Sequence, residues 1–127
     1  MILGIGTDLV EIVRVEDLLS RHQERFLSRV FTPAERGDCL DRARPAMHLA
    51  ARLAAKEAAM KALGTGWGLG VRWLDIEIRS GDGTPPSLSW TGAAGTRAEA
   101  LGIRQTLVSL SHDGGYALAV VVATDGR

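Results

Sequence analysis

Apolar residues recur at helical spacing from Pro45 to Leu63, in a stretch built largely from Ala, Leu, Met, Lys, Glu and Arg, the strongest helix formers. Pro45 suits the first turn of a helix, and Gly64 suits the left-handed residue just past its end. The pattern therefore predicts a long helix over Pro45–Leu63. On a helical wheel most of the larger apolar residues share one side, Arg52 and Lys56 fall near its edge, and the opposite side is almost all Ala.

The rest of the chain shows shorter stretches with the apolar pattern of a strand or of a helix. Alternating or continuous apolar residues predict strands over residues 2–12, 71–79, 87–90, 103–112 and 116–123, and helical spacing predicts helices over residues 13–30, 32–40 and 92–101. The nearly unbroken apolar run within 116–123 is typical of a central strand. Together these elements predict an α+β fold, in which an antiparallel sheet packs against one long helix and several short helices.

Glu57 falls inside the apolar side of the long helix, where a carboxylate is costly unless it is paired or bound to a metal. Lys61 lies one turn further on. An ordinary i,i+4 ion pair, which contributes about 0.2–0.5 kcal/mol, is one explanation of the two residues. A bound ligand is the other.

Asp8 stands in the predicted strand 2–12, after Gly4 and Gly6. Glycines inside a strand suggest that another backbone or a ligand comes close. Asp8 either ends the strand as the cap of the next helix or serves as a ligand. Together with Glu57 and Lys61 it offers a site for one Mg²⁺ against a phosphate, because Mg²⁺ takes one or two carboxylates plus phosphate oxygens and water.

Two further patterns concern the predicted helices 13–30 and 32–40. Arginines recur at helical spacing in the first, with acidic residues between them; they form either a solvated charged face or a docking surface for an acidic partner. These arginines are Arg14, Arg21, Arg25 and Arg29. Thr32 and Glu35 form a capping box at the start of the second helix, and capping alone explains Glu35.

Length and composition narrow the classes of function. A chain of 127 residues is expected to form one domain over residues 1–127, and its formal net charge of zero implies no general attraction to nucleic acid or to membranes. No segment approaches the ~20 apolar residues of a membrane span, and the N-terminal segment lacks the pattern of a signal peptide. Cys39 is the only cysteine, which fits a reducing compartment, so a cytoplasmic location is expected.

A glycine-rich segment, residues 64–70, follows the long helix. Phosphate-binding loops instead precede a helix and use its N-terminal amides. An anion held here would depend on Lys61 and on loop amides, since the helix dipole disfavours negative charge at this end.

Four segments, in this order, resemble the holo-[acyl-carrier-protein] synthases, the short class of 4′-phosphopantetheinyl transferases. They are Gly4-Ile5-Gly6-Thr7-Asp8-Leu9-Val10-Glu11-Ile12, Phe31-Thr32-Pro33-Ala34-Glu35, the run from Arg52 to Gly66 containing Lys56-Glu57 and Lys61, and Ser109-Leu110-Ser111-His112. The resemblance covers nearly the whole chain. It implies the transferase fold, Mg²⁺, a homotrimer with active sites between subunits, and a role in fatty-acid and lipid biosynthesis.

The reaction that the resemblance implies moves the 4′-phosphopantetheine arm of coenzyme A onto a serine of apo acyl carrier protein and releases adenosine 3′,5′-bisphosphate. Asp8 and Glu57 would then ligate Mg²⁺ on the pyrophosphate, and Glu57, directly or through a metal-bound water, would take the serine proton. Lys61 would stabilise charge on the phosphates. The coenzyme would also contact Arg52, His112, Gly64, Gly66 and Pro85, and the acidic carrier would dock on Arg14, Arg21 and Arg25.

One position departs from the larger relatives of this class, which carry a second acid two residues after the first; here that residue is Val10. Two rival functions use the same residues. A Mg²⁺-dependent hydrolase of coenzyme A or nucleotide pyrophosphates would use water as the nucleophile, and a non-catalytic module would only bind coenzyme A or the acyl carrier.

Overall fold

The computed structural model describes residues 1–66, 68–81 and 83–127, so Trp67, in the glycine-rich segment, lies outside the described residues. The predicted α+β class is confirmed. In chain order the elements are β1 Ile2–Glu11, α1 Ile12–Val30, α2 Pro33–Leu40, α3 Pro45–Leu63, a 3₁₀ turn Trp73–Asp75, β2 Ile76–Arg79, β3 Ser87–Trp90, α4 Gly92–Ala100, β4 Gln105–Asp113 and β5 Tyr116–Thr124.

Helix α3 runs through the centre of the fold and has the predicted bounds. Pro45 occupies its first turn and Gly64, with φ of 71°, ends it in the left-handed conformation. The helical wheel indicated one packed side of α3, but the alanine side is buried as well as the leucine side. Arg52 and Lys56, expected near the edge of the apolar side, are 2% and 0% exposed.

A three-stranded antiparallel sheet in the order β1-β5-β4 covers one side of α3. The predicted central position of the last strand is therefore confirmed. Asp8 pairs with Ala119 of β5 in the body of β1, so the interpretation of Asp8 as a helix cap is wrong. Helix α1 begins after Glu11, which acts as its N-cap residue.

Glycines let β1 lie directly against α3. A Cβ atom on Gly4 would overlap the carbonyl oxygen of Ala62, and one on Gly6 would overlap the carbonyl oxygen of Ala58. Of the two alternatives for these glycines, another backbone is the group that comes close. Asp8 is the next residue along the same face of β1, so its carboxyl group faces α3 at close range.

The predicted strand 71–79 is shorter in the structure, where only Ile76–Arg79 pairs with β3 in a separate two-stranded sheet. The preceding residues turn instead, because the Asp75 carboxylate accepts a hydrogen bond from the backbone amide of Arg72 at 3.1 Å and closes a 3₁₀ turn. Alternating apolar residues could not reveal this local contact.

Helix α1 is not continuous, because His22 has the non-helical angles φ −141° and ψ 39°. Arg14 and Arg21 precede the kink, and Arg25 and Arg29 follow it. The four arginines therefore do not follow one straight helical face, as their spacing alone suggests.

The face of the sheet that points away from α3 carries large apolar side chains. Ile5 and Leu9 of β1, Leu118 of β5 and Leu107 of β4 are between 40% and 62% exposed. In the part of the chain that the structure describes, no helix is long and apolar enough to cross a membrane.

Candidate active site

Asp8 of β1 and Glu57 and Lys61 of α3 come together where the strand crosses the helix. The Lys61 ammonium donates to the Thr7 carbonyl oxygen at 2.9 Å and to Asp8 Oδ1 at 3.0 Å. Lys61 thus makes its ion pair across to β1, and the simple i,i+4 pair with Glu57 does not describe the site. The pair joins a largely buried carboxylate to an ammonium that is about half exposed.

The Glu57 carboxyl group is half-buried and lies against that of Asp8. Burial raises the pKa of Glu57 to about 7, with contributions from a hydrogen bond to Asp8 and from its negative charge; Arg14 and Lys61 act in the opposite direction. A carboxyl group with this pKa can gain or lose a proton near neutral pH.

Asp8 also has an unsatisfied atom, because Oδ2 is buried and has no hydrogen-bond partner among the described residues. A buried oxygen without a partner is costly, and the carboxyl group that carries it lies beside that of Glu57. Bound Mg²⁺ would satisfy both groups, so the residues present fit a divalent cation.

The described residues offer this cation two carboxylates, those of Asp8 and Glu57. Within residues 1–66, 68–81 and 83–127, no cluster of three or more His, Cys, Asp or Glu side chains is placed to hold a metal. Val10, two residues after Asp8 on the same face of β1, is 1% exposed and offers no ligand. The remaining ligands of a cation would therefore come from phosphate oxygens and water.

Arg52 forms a second cluster, earlier on α3. Its guanidinium donates to the carbonyl oxygens of His48, at 3.2 Å, and Ser80, at 3.4 Å. Its Nε is buried without a hydrogen-bond partner among the described residues. A buried guanidinium with an unused donor suits an anionic ligand.

His48 belongs to the same cluster and was missed by the sequence analysis, which had no signal for it. Burial lowers the pKa of His48, and the positive charges of Arg42, Arg52 and His112 lower it further. His112, exposed at the end of β4, is therefore close enough to act on the Arg52 cluster electrostatically. The cluster concentrates positive charge at this end of α3.

Pro85 borders a cleft of about 300 Å³ that is also lined by Ser80 and Arg79. Ser80 links this cleft to Arg52 through its carbonyl oxygen. Gly64 and Gly66, both with positive φ, lie instead beyond the other end of α3, near Lys61. The expected coenzyme contacts thus form two groups, since Arg52 and Lys61 are nine residues apart, which is about 14 Å along a helix.

The arginines expected to bind a partner are exposed on α1. Arg14 is close enough to Glu57 to lower its pKa. Arg21 makes an exposed ion pair with Asp17 at 3.0 Å. Arg25 lies beyond the kink, beside a groove that it shares with Arg29. This surface therefore begins at the carboxylate pair and changes direction at His22.

The comparisons with known proteins agree with one another. A family model described as the 4′-phosphopantetheinyl transferase superfamily matches residues 4–121. The holo-[acyl-carrier-protein] synthase of Anaeromyxobacter dehalogenans strain 2CP-C is 49% identical over 125 residues, which are 96% of this chain and 95% of that protein. The synthase of Koribacter versatilis is 45% identical over 98% of this chain and 100% of that protein.

Solved structures show the same likeness. The Neisseria meningitidis holo-[acyl-carrier-protein] synthase superposes with a TM-score of 0.87 at 35% identity, covering 98% of this chain and 99% of that one. The Helicobacter pylori synthase, solved in complex with coenzyme A, gives a TM-score of 0.82 at 34% identity and covers 94% and 99%.

Proposed function

The chain belongs to the 4′-phosphopantetheinyl transferase superfamily, and from this premise we propose that it transfers the 4′-phosphopantetheine arm of coenzyme A to a serine of apo acyl carrier protein. The observation that carries the proposal is the carboxylate pair Asp8–Glu57 with its buried, unpartnered oxygen, beside the Lys61 ammonium. The likeness to synthases of the same length, one of them solved with coenzyme A, supports the substrate.

In this reaction the serine hydroxyl attacks the β-phosphorus of the coenzyme. A new phosphorus–oxygen bond to the serine forms, the bond to the bridging oxygen breaks, and adenosine 3′,5′-bisphosphate leaves with the electron pair. Glu57 takes the serine proton, directly or through a water. Lys61 offers a partly exposed ammonium to the phosphate oxygens.

Asp8 and Glu57 are the residues that would hold Mg²⁺. When bound, Mg²⁺ polarises the phosphoryl group and neutralises charge on the leaving group. Lys61 holds the Asp8 carboxylate in place through Oδ1, and the unpartnered Oδ2 would supply an oxygen ligand.

Coenzyme A carries a pyrophosphate and a separate 3′-phosphate, and the expected coenzyme contacts form two groups along α3. We assign the pyrophosphate to Lys61 with Gly64 and Gly66, and the other phosphate to Arg52 with His112. The cleft at Pro85 is the proposed place of the adenine. The separation of the two clusters along α3 favours sites that combine one cluster from each of two subunits.

We propose a homotrimer, in agreement with this sharing. The outer face of the sheet supports self-association, since the large apolar residues Ile5, Leu9, Leu107 and Leu118 are exposed together, and such patches mark interfaces. The number of subunits follows from the family resemblance. Residues 1–127 act as one domain in the cytoplasm, and the acidic carrier docks on Arg14, Arg21 and Arg25.

The test is mass spectrometry of apo acyl carrier protein incubated with this protein, coenzyme A and Mg²⁺. We expect the carrier to gain one phosphopantetheine, and we expect no gain with EDTA or with the Glu57→Ala variant. Glu11→Ala is the matched control, because it removes an exposed carboxylate from β1 and should leave the transfer unchanged.

The other outcomes distinguish the rivals. Free phosphopantetheine released without a carrier would favour the hydrolase. Coenzyme A binding that is indifferent to Mg²⁺, with no transfer to several apo carriers, would favour the binding module. Either result from folded protein would refute the transferase.

A further inference from the structure

Lys56, the neighbour of Glu57, is fully buried and has no part in the proposed chemistry. Its ammonium contacts three oxygens: Glu35 Oε1 at 2.7 Å, the Ile76 carbonyl oxygen at 2.7 Å and the Trp73 carbonyl oxygen at 3.0 Å. The ring of Phe31 lies 5.6 Å from it. This lysine therefore points away from the carboxylate pair and into the core.

Glu35 is equally buried and is itself held on several sides. Its Oε1 accepts from the backbone amide of Thr32 at 2.8 Å, and its Oε2 accepts from the amide of Ile78 at 2.9 Å. The expectation that capping alone explains Glu35 is thus wrong. The capping box of α2 and the Lys56-Glu57 dipeptide of α3 are two ends of one buried connection.

The ion pair connects α3 to three other parts of the chain: α2 through Glu35, the 3₁₀ turn through Trp73, and β2 through Ile76. Burying an ion pair rarely adds stability, because desolvation offsets the attraction, and an apolar pair often serves as well. A buried ammonium differs from an apolar side chain because the oxygens that accept its hydrogen bonds hold it in one direction. Its contribution here is geometric.

We propose that Lys56 is a positioning residue that fixes the rotation of α3 about its own axis and thereby aims Glu57 at Asp8. Consecutive side chains project about 100° apart around a helix, so holding Lys56 in one direction sets the direction of Glu57. The close contacts at Gly4 and Gly6 set the distance between β1 and α3. The inference rests on the proposed function, in which Glu57 is a metal ligand and base.

Small rotations matter at this site. A roll of about 20° moves a carboxylate about 5 Å from the helix axis by about 2 Å. A misplacement of about 1 Å can cost on the order of 100-fold in rate. Loss of the Lys56 contacts would therefore weaken the site even while α3 stays folded.

The experiment measures coenzyme A binding by calorimetry with and without Mg²⁺, and the quantity compared is the gain in affinity that Mg²⁺ provides. The variant is Lys56→Met with Glu35→Gln, which removes both charges and leaves one carbonyl oxygen to accept from either the Thr32 or the Ile78 amide. We expect this gain to fall about 10-fold or more, the usual effect of removing a group that orients a metal ligand. Metal-free binding of the coenzyme should stay within about twofold.

Two further variants keep the test decisive. Ile103→Ala removes a partly buried side chain at the α4–β4 junction, outside this connection, so it should lower the unfolding temperature without changing the Mg²⁺ gain. Glu35→Gln alone keeps Lys56 and supplies the result if the double variant does not fold. If Lys56 had only a structural role, its substitution would lower stability and leave the gain in affinity from Mg²⁺ unchanged.

An unchanged Mg²⁺ gain in a folded Lys56 or Glu35 variant would overturn the positioning role while leaving the proposed function intact. A wild-type protein whose coenzyme binding ignores Mg²⁺ would refute the metal site, and the positioning role with it.

Discussion

The contact of Gly6 with α3 allows a quantitative prediction for Gly6→Ala. The new methyl group would occupy the place of the Ala58 carbonyl oxygen, and real Cβ atoms essentially never come within 3.0 Å of another heavy atom. The obstacle is backbone, which cannot rotate aside as a side chain would. Strand and helix must therefore separate by on the order of 1 Å, and we expect a loss of about 3 kcal/mol in the free energy of unfolding, at the upper end of overpacking costs.

The same separation moves Asp8 away from Glu57, so the rate of transfer to apo acyl carrier protein should fall on the order of 100-fold in protein that is still folded. Urea unfolding at fixed protein concentration measures the first effect, and mass spectrometry of the carrier measures the second. Gly37→Ala is the matched control, because Gly37 lies in α2 with nothing within 4 Å of the new methyl group. Alanine there should stabilise the protein by about 0.5–1 kcal/mol. If Gly6→Ala unfolds at the urea concentration of the wild type, the contact does not set the spacing.

Three further predictions concern other parts of the site. Metal-free wild type should lose stability as pH rises from 4.5 to about 7, because the folded protein retains a proton on Glu57 that the unfolded chain has released. In Glu57→Gln the urea midpoint should change less with pH over this range. Equal pH dependence of the urea midpoint in the two proteins would contradict the raised pKa. Arg52→Met should raise the KM for coenzyme A about 10-fold or more by removing charge-assisted hydrogen bonds, whereas Arg104→Met, at an exposed position, should leave it unchanged. A KM of Arg52→Met equal to that of the wild type would show that Arg52 does not bind the phosphate. Leu118→Lys, on the exposed face of the central strand, should lower the mass measured by light scattering, and an unchanged mass would show that this face is not an interface.

The main elements could be predicted because their signals are local. The bounds of α3 follow from Pro45 and Gly64, and the apolar run of β5 indicates a central strand. Gly4 and Gly6 correctly indicated a close approach to β1, although the sequence could not say that the partner was the backbone of α3.

The connections between elements could not be predicted in the same way. Glu35 satisfies a local capping rule, which concealed its pairing with Lys56 on another helix. Helical periodicity placed Lys56 near an edge because a wheel has no information about what packs against each side. The kink at His22 had no Gly or Pro to announce it, and the turn at Asp75 depends on a side-chain contact that alternation does not encode.

The central position of α3 also determines how the protein opens. Elements that can open by themselves have few buried contacts, whereas α3 is buried on nearly every side and carries two of the three site residues. Its amide hydrogens should exchange with solvent only when the whole fold opens. Glu57 and Lys61 would then keep their places until global unfolding, so inactivation on heating would coincide with melting.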